Sequence, residues 1–179
     1  MNKLTIAFMA VATIGVASID STSHADNIRT AGRFGLGLGS GTLTNGLSAK
    51  YFMAQNHALQ FHLGAYGHGK FKDRWGHVEG FGFGMDYLFE MPTIVRAGRA
   101  FDLAWNIGVG AGVGFRDGRD HKDHHDDGTA IAIAGVLGLE FNFIPIPIDI
   151  VLEWRPSILL IHHFGGNLID FTAQIRYYF

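Results

Sequence analysis

From about residue 34 onward, apolar residues recur at every second position. A period of two marks strands with one apolar face, because successive side chains of an extended chain point to opposite sides. The clearest stretch is 101–115. Phe101, Leu103, Trp105, Ile107, Val109, Ala111, Val113 and Phe115 share one face, while Asp102, Ala104, Asn106, Gly108, Gly110, Gly112 and Gly114 share the other. Similar alternation runs through 34–39, 47–53, 59–66, 81–87, 131–143, 148–158 and 169–179, which predicts eight strands.

Strands with one apolar face can close with that face inward or outward. A soluble barrel turns it inward and shows a charged face to water. Here the non-apolar face is crowded with Gly and makes a poor solvent surface, whereas the apolar face carries bulky Phe, Trp and Ile. Eight strands leave a lumen too narrow for those side chains, and lipid accommodates them. The fold expected is therefore all-β: a transmembrane, antiparallel, up-and-down β-barrel of eight strands with its large apolar face outward.

The connections follow from that fold. With the N-terminus in the periplasm, inner turns alternate with outer loops. Residues 54–56 and 144–147 are short enough for inner turns, while 90–100 is longer than expected. Polar, charged or Gly-rich segments at 40–46, 67–77, 116–128 and 161–167 are the expected outer loops.

Composition sharpens this picture. Charged residues make up 17% of the 179-residue chain and hydrophobic residues 47%, with 25 Gly and 15 Phe. So much Gly disfavours helices, since each one inside a helix costs about 1 kcal/mol. After residue 25 no run nears the roughly 18 apolar residues of a membrane-spanning helix. The formal net charge of −2 and the absence of a basic run give no support to nucleic-acid binding. With no Cys, disulfides, thiolate metal sites, a cysteine nucleophile and a lipid-anchored lipoprotein are excluded.

Residues 1–25 read as a signal peptide. Lys3 gives a positive start, 4–17 is apolar and mostly small, and Ser23-His24-Ala25 offers a cleavage site. An uncleaved anchor helix is the competing reading. The barrel domain is then 26–179, exported to the bacterial outer membrane.

Phe171, Ile175, Tyr177 and the terminal Phe179 resemble the final-strand signal of bacterial outer-membrane proteins. Together with the leader and eight strands, the chain resembles small outer-membrane barrels of the OmpX type or the OmpA membrane domain. The resemblance is architectural. It implies insertion by the outer-membrane assembly machinery through the strand ending at Phe179, with membrane lipid and lipopolysaccharide as surroundings.

Candidate chemistry lies in three places. The alternate Gly runs do not fit the G-x-G-x-x-G spacing of a dinucleotide loop and read as lumen-facing small residues. Lys50, Asp86, Asp102, Glu140, Asp149, Glu153, Arg155, Asp170 and Arg176 are expected to face inward and pair, with Glu153, Arg155 and Arg176 as one candidate network. They read as a structural plug, with an ion path as the alternative.

In the outer segments, Asp117, Asp120, His121, Asp123, His124, His125, Asp126 and Asp127 lie close in sequence; His68, His77, His162 and His163 lie in other loops. Imidazole and carboxylate suit divalent metals or a pH sensor. The spacing matches no defined motif, and a hydrated loop is the plain reading, so no metal or cofactor site is assigned. A lipid A deacylase of the PagL type would need a His followed closely by a nucleophilic Ser. After His163-Phe164 stand Gly165 and Gly166, and Ser157 is expected to face the lumen, so no catalytic residue is assigned. The function expected is a non-enzymatic surface-interaction or envelope-structural role carried by the outer loops. A narrow channel is the first alternative and a lipid A-modifying enzyme the second.

Overall fold

A computed structural model describes residues 28–66, 80–116, 128–161 and 165–179. Among them there is no helix. Eleven strands form one sheet: β1 (Phe34–Gly41), β2 (Thr44–Ala54), β3 (His57–Tyr66), β4 (Gly80–Glu90), β5 (Val95–Ala97), β6 (Phe101–Arg116), β7 (Thr129–Phe143), β8 (Ile148–Trp154), β9 (Ser157–Leu159), β10 (Gly165–Asn167) and β11 (Phe171–Tyr178). All pairings are antiparallel, and β1 bonds to β11 as well as to β2, so the sheet closes on itself.

The wall has eight staves, because three of them are interrupted. On stave four, β5 continues β4 along the same edge of β6. On stave seven, β8 and β9 both pair with β7 and are separated by Arg155 and Pro156. Pro156 has no N–H to give to the ladder, though its carbonyl accepts from the Gly135 N–H at 2.9 Å. On stave eight, β10 and β11 are interrupted opposite that break, where the Arg155 N–H donates to the Asp170 carbonyl at 2.7 Å.

The registers fix how the strands lean. From Ile150, successive partners are Ile175, Leu38, Leu47, Leu63, Phe83, Val113 and Ile131. Ile131 then bonds to Leu160, ten residues along the stave where the circuit began. A stagger of this size requires strands tilted by roughly 40° to the barrel axis. Every residue on the circuit is apolar and none is buried.

Both termini of the described chain lie at one end, here the terminal end, since Gly35 pairs with Tyr178. The alternation read from sequence is present throughout. Phe83, Met85, Tyr87, Val109, Ile133, Leu152 and Ile175 are exposed on the outside, while Lys50, Asp86, Glu140, Asp149, Glu153, Arg155 and Arg176 are buried inside. Aromatic side chains gather outside at the terminal end, including Phe34, Tyr51, Tyr87, Phe89, Tyr177 and Phe179.

Four expectations change. Within the expected outer loop 161–167, residues 165–167 form β10 and pair with β9. Residues 40–46 are not a loop: β1 and β2 run through them and turn at Thr42 and Leu43 alone. The long 90–100 link returns to the sheet, because after a two-residue bulge at Pro92 and Thr93 the chain forms β5 and turns at Gly98. Asp102 lies beyond the closed part of the lumen. Its carboxylate pairs with exposed Arg96 at 3.1 Å rather than with a lumen charge.

Candidate functional site in the barrel interior

Alternation delivers one side chain in two to the lumen, so the charges there come from five staves and from the segment preceding β1. They assemble in three linked groups. Nearest the terminal end, Lys50 from β2 lies between Glu90 from β4 and Glu140 from β7, 2.6 Å from the former and in direct contact with the latter. Arg29 completes the group from before β1, reaching Glu90 at 2.9 Å and Glu140 at 2.7 Å. Asn106 donates to Glu140 at 2.6 Å. Two cations face two carboxylates here, so the group is neutral as a set. Burial opposes the Arg29 charge, but Glu140 and then Glu90 outweigh it and hold its pKa above the ordinary value.

A hydrophobic floor adjoins this group. Ile28, Phe52, Ala58, Leu88, Val136 and Tyr178 pack together, and the Lys50 ammonium sits 5.0 Å from the centre of the Phe52 ring. The second group is the Asp149–Arg176 pair at 2.8 Å, with the Tyr178 hydroxyl donating to Asp149 at 2.7 Å. Arg176 also donates to Gln60 and Gln174.

The third group centres on Arg155. Its guanidinium donates to Glu153 at 2.7 Å, to Asp86 at 3.1 Å and to the Thr42 hydroxyl at 3.1 Å. Gln60 joins Asp86 to Glu153 with two bonds of 3.0 Å, and Gln174 donates to Glu153 at 2.6 Å. These two amides therefore link the second and third groups.

The expected inward set is buried here with the exception of Asp102. Glu153 and Arg155 meet as expected, whereas Arg176 pairs with Asp149 and reaches Glu153 through the amides of Gln60 and Gln174. Two central residues were not foreseen. Arg29 precedes the first alternating stretch, and Glu90 falls where alternation gives way to the link. The even-numbered positions of β4 carry Asp86 and Leu88 inward, and extending that parity by one step would have found Glu90.

Above Arg155 the lumen changes character. Tyr66, Ala130, Ala132 and Leu159 form an apolar group against which Leu43 packs. Leu43 has φ 62, a left-handed conformation that costs a non-glycine residue roughly 1–2 kcal/mol. The β1–β2 turn bends inward over the lumen. A Cβ on Gly112 would overlap the Thr42 carbonyl, and one on Gly114 would overlap the Tyr66 ring. These glycines make room for a turn of backbone and an aromatic ring.

The chemistry available follows from these contacts. His62 and Asp86 form a buried pair at 3.1 Å, but the nearby hydroxyls are committed elsewhere: Ser48 donates to Gln174 at 2.7 Å and Thr42 accepts from Arg155. Ser157 pairs in register with Ala134 on the lumen side and is half-buried. Among the described residues no three His, Asp or Glu side chains converge as metal ligands. His121, Asp123, His124, His125 and Asp126, with Asp117, Asp120, Asp127, His68, His77, His162 and His163, lie outside the described residues. Comparison with protein-family models, characterised proteins and solved structures finds no match.

Proposed function

We propose that this chain is an integral β-barrel of a bacterial outer membrane, sealed through its lumen, with a non-enzymatic surface or envelope role carried by its outer loops. One observation carries the reading: the wall is apolar outside and charged inside. Water-soluble monomers rarely expose contiguous apolar patches beyond a few hundred Å². Here bulky apolar side chains are exposed around the barrel, from Phe34 and Tyr51 on the first staves to Ile175 and Tyr177 on the last. Lipid removes that surface from water, at about 25 cal/mol per Å². Aromatic residues at the terminal end match the interfacial girdle of membrane barrels.

On this reading the terminal end faces the periplasm. Insertion machinery engages the strand ending at Phe179, and lipid and lipopolysaccharide surround the wall. The loops at the other end meet the outside, and any extracellular ligand binds there. The cross-lumen ion pairs favour a structural role over a channel, so planar-bilayer recordings should show no conductance steps. Lipid A mass spectra should be unchanged by the protein's presence.

The test is fractionation followed by gel mobility in SDS, unboiled against boiled. A heat-dependent shift in the outer-membrane fraction is the expected result. An unshifted protein, soluble in the periplasm, would overturn the reading.

A further inference from the structure

Residues 28–33, just before β1, are not a loose tail. The Phe52 N–H donates to the Arg33 carbonyl at 3.0 Å, the Gly32 N–H donates to the Phe52 carbonyl at 2.8 Å, and Gly32 (φ 87) turns the chain beneath the barrel mouth. From there residues 28 and 29 run under the lumen. Arg29 reaches β4, β6 and β7, the wall facing β1, through Glu90, the Trp105 carbonyl at 3.2 Å and Glu140. Its guanidinium also donates to the Met91 carbonyl. Ile28 is 5% exposed among Phe52, Ala58, Leu88, Val136 and Tyr178, which come from β2, β3, β4, β7 and β11.

This seat has a topological property. Its walls come from the second stave to the last, and Tyr178 reaches it only when β11 has joined β1. Glu90 and Glu140 face Arg29 across the lumen only when the staves between them have curved round. No pair of neighbouring strands provides the seat. We propose that residues 28 and 29 form a closure latch, which docks after the first and last staves have met and then holds the barrel shut.

A contact made after the rate-limiting step changes the unfolding rate and leaves the folding rate almost untouched. Arg29→Ala strands two buried carboxylates with one lysine. It should speed unfolding by about a hundredfold or more, and change refolding less than about twofold. Ile28→Ala removes only the apolar part of the contact and should speed unfolding by about tenfold. Arg96→Ala, which breaks an exposed ion pair at the same end, is the control and should alter neither rate.

The experiment is urea-jump kinetics of the full chain in detergent micelles, read by tryptophan fluorescence. Because the chain has no cysteine, Ile28→Cys adds a second reading through thiol labelling during refolding. Protection of that thiol should follow the heat-resistant gel form, never precede it. Slowed refolding in Arg29→Ala or Ile28→Ala, failure of both to close, protection before closure, or unchanged unfolding would each overturn the latch. None of these readings requires the barrel to reside in an outer membrane.

Discussion

Towards the end that carries the termini, the lumen is packed with charged side chains; towards the other, it is lined by glycine and alanine and filled by a turn of backbone. The first half is held by partners: Arg29, Lys50, Arg155 and Arg176 each meet at least one carboxylate. The second is held by vacated space, because Gly112 and Gly114 leave room for the Thr42 carbonyl and the Tyr66 ring. The Arg155–Thr42 bond is the seam between them. One alternating pattern thus supports two ways of filling a narrow barrel. They should fail differently, one by losing an atom group and the other by gaining one.

Urea unfolding of variants in lipid vesicles separates the two. Arg155→Ala should be the most damaging, because it leaves Asp86 and Glu153 buried without their cation, at a cost of about 3–5 kcal/mol. Gly112→Val adds atoms where the turn lies, and overpacking of this kind should cost about 1–3 kcal/mol. The comparison breaks if the order is reversed, since the glycine-lined half would then be the more exacting. At position 43 the backbone conformation decides. Leu43→Gly should be more stable than Leu43→Ala by about 1 kcal/mol, although it removes one more carbon. Equal stabilities would mean that the turn relaxes out of the left-handed region. Smallest of all, Arg96→Ala at the exposed Asp102 pair should cost less than about 1 kcal/mol. A larger loss would extend the charged half beyond the closed barrel.

Much of this was legible from alternation alone. Residues 101–115 and 131–143 form β6 and β7 in the expected phase, and Lys50, Glu140, Asp149 and Arg176 are buried as expected. Composition misled where it competed with periodicity. Residues 40–46 are rich in Ser, Gly, Thr and Asn, which read as a loop, yet Gly39 and Gly41 continue the small lumen face up to a two-residue turn. Asp102 has the right parity, but parity does not reveal where the closed lumen ends. Arg29 was invisible for a different reason: its partners on β4 and β7 lie far along the chain and come near only through closure. The His/Asp segment at 117–127 lies outside the described residues, and its reading as a hydrated loop, with metal or pH chemistry as the alternative, stands as an expectation from sequence.

The outward apolar wall is the feature on which the functional reading depends, and spin labels at single cysteines test it most directly. Val109→Cys and Leu152→Cys place a nitroxide on the outer face, where the native residues are 66% and 49% exposed. In lipid vesicles, collisions with oxygen should dominate over collisions with a water-soluble nickel chelate at both sites, as they do for groups in hydrocarbon. Frequent nickel collisions at both would mean that this wall faces water, and would contradict the membrane barrel.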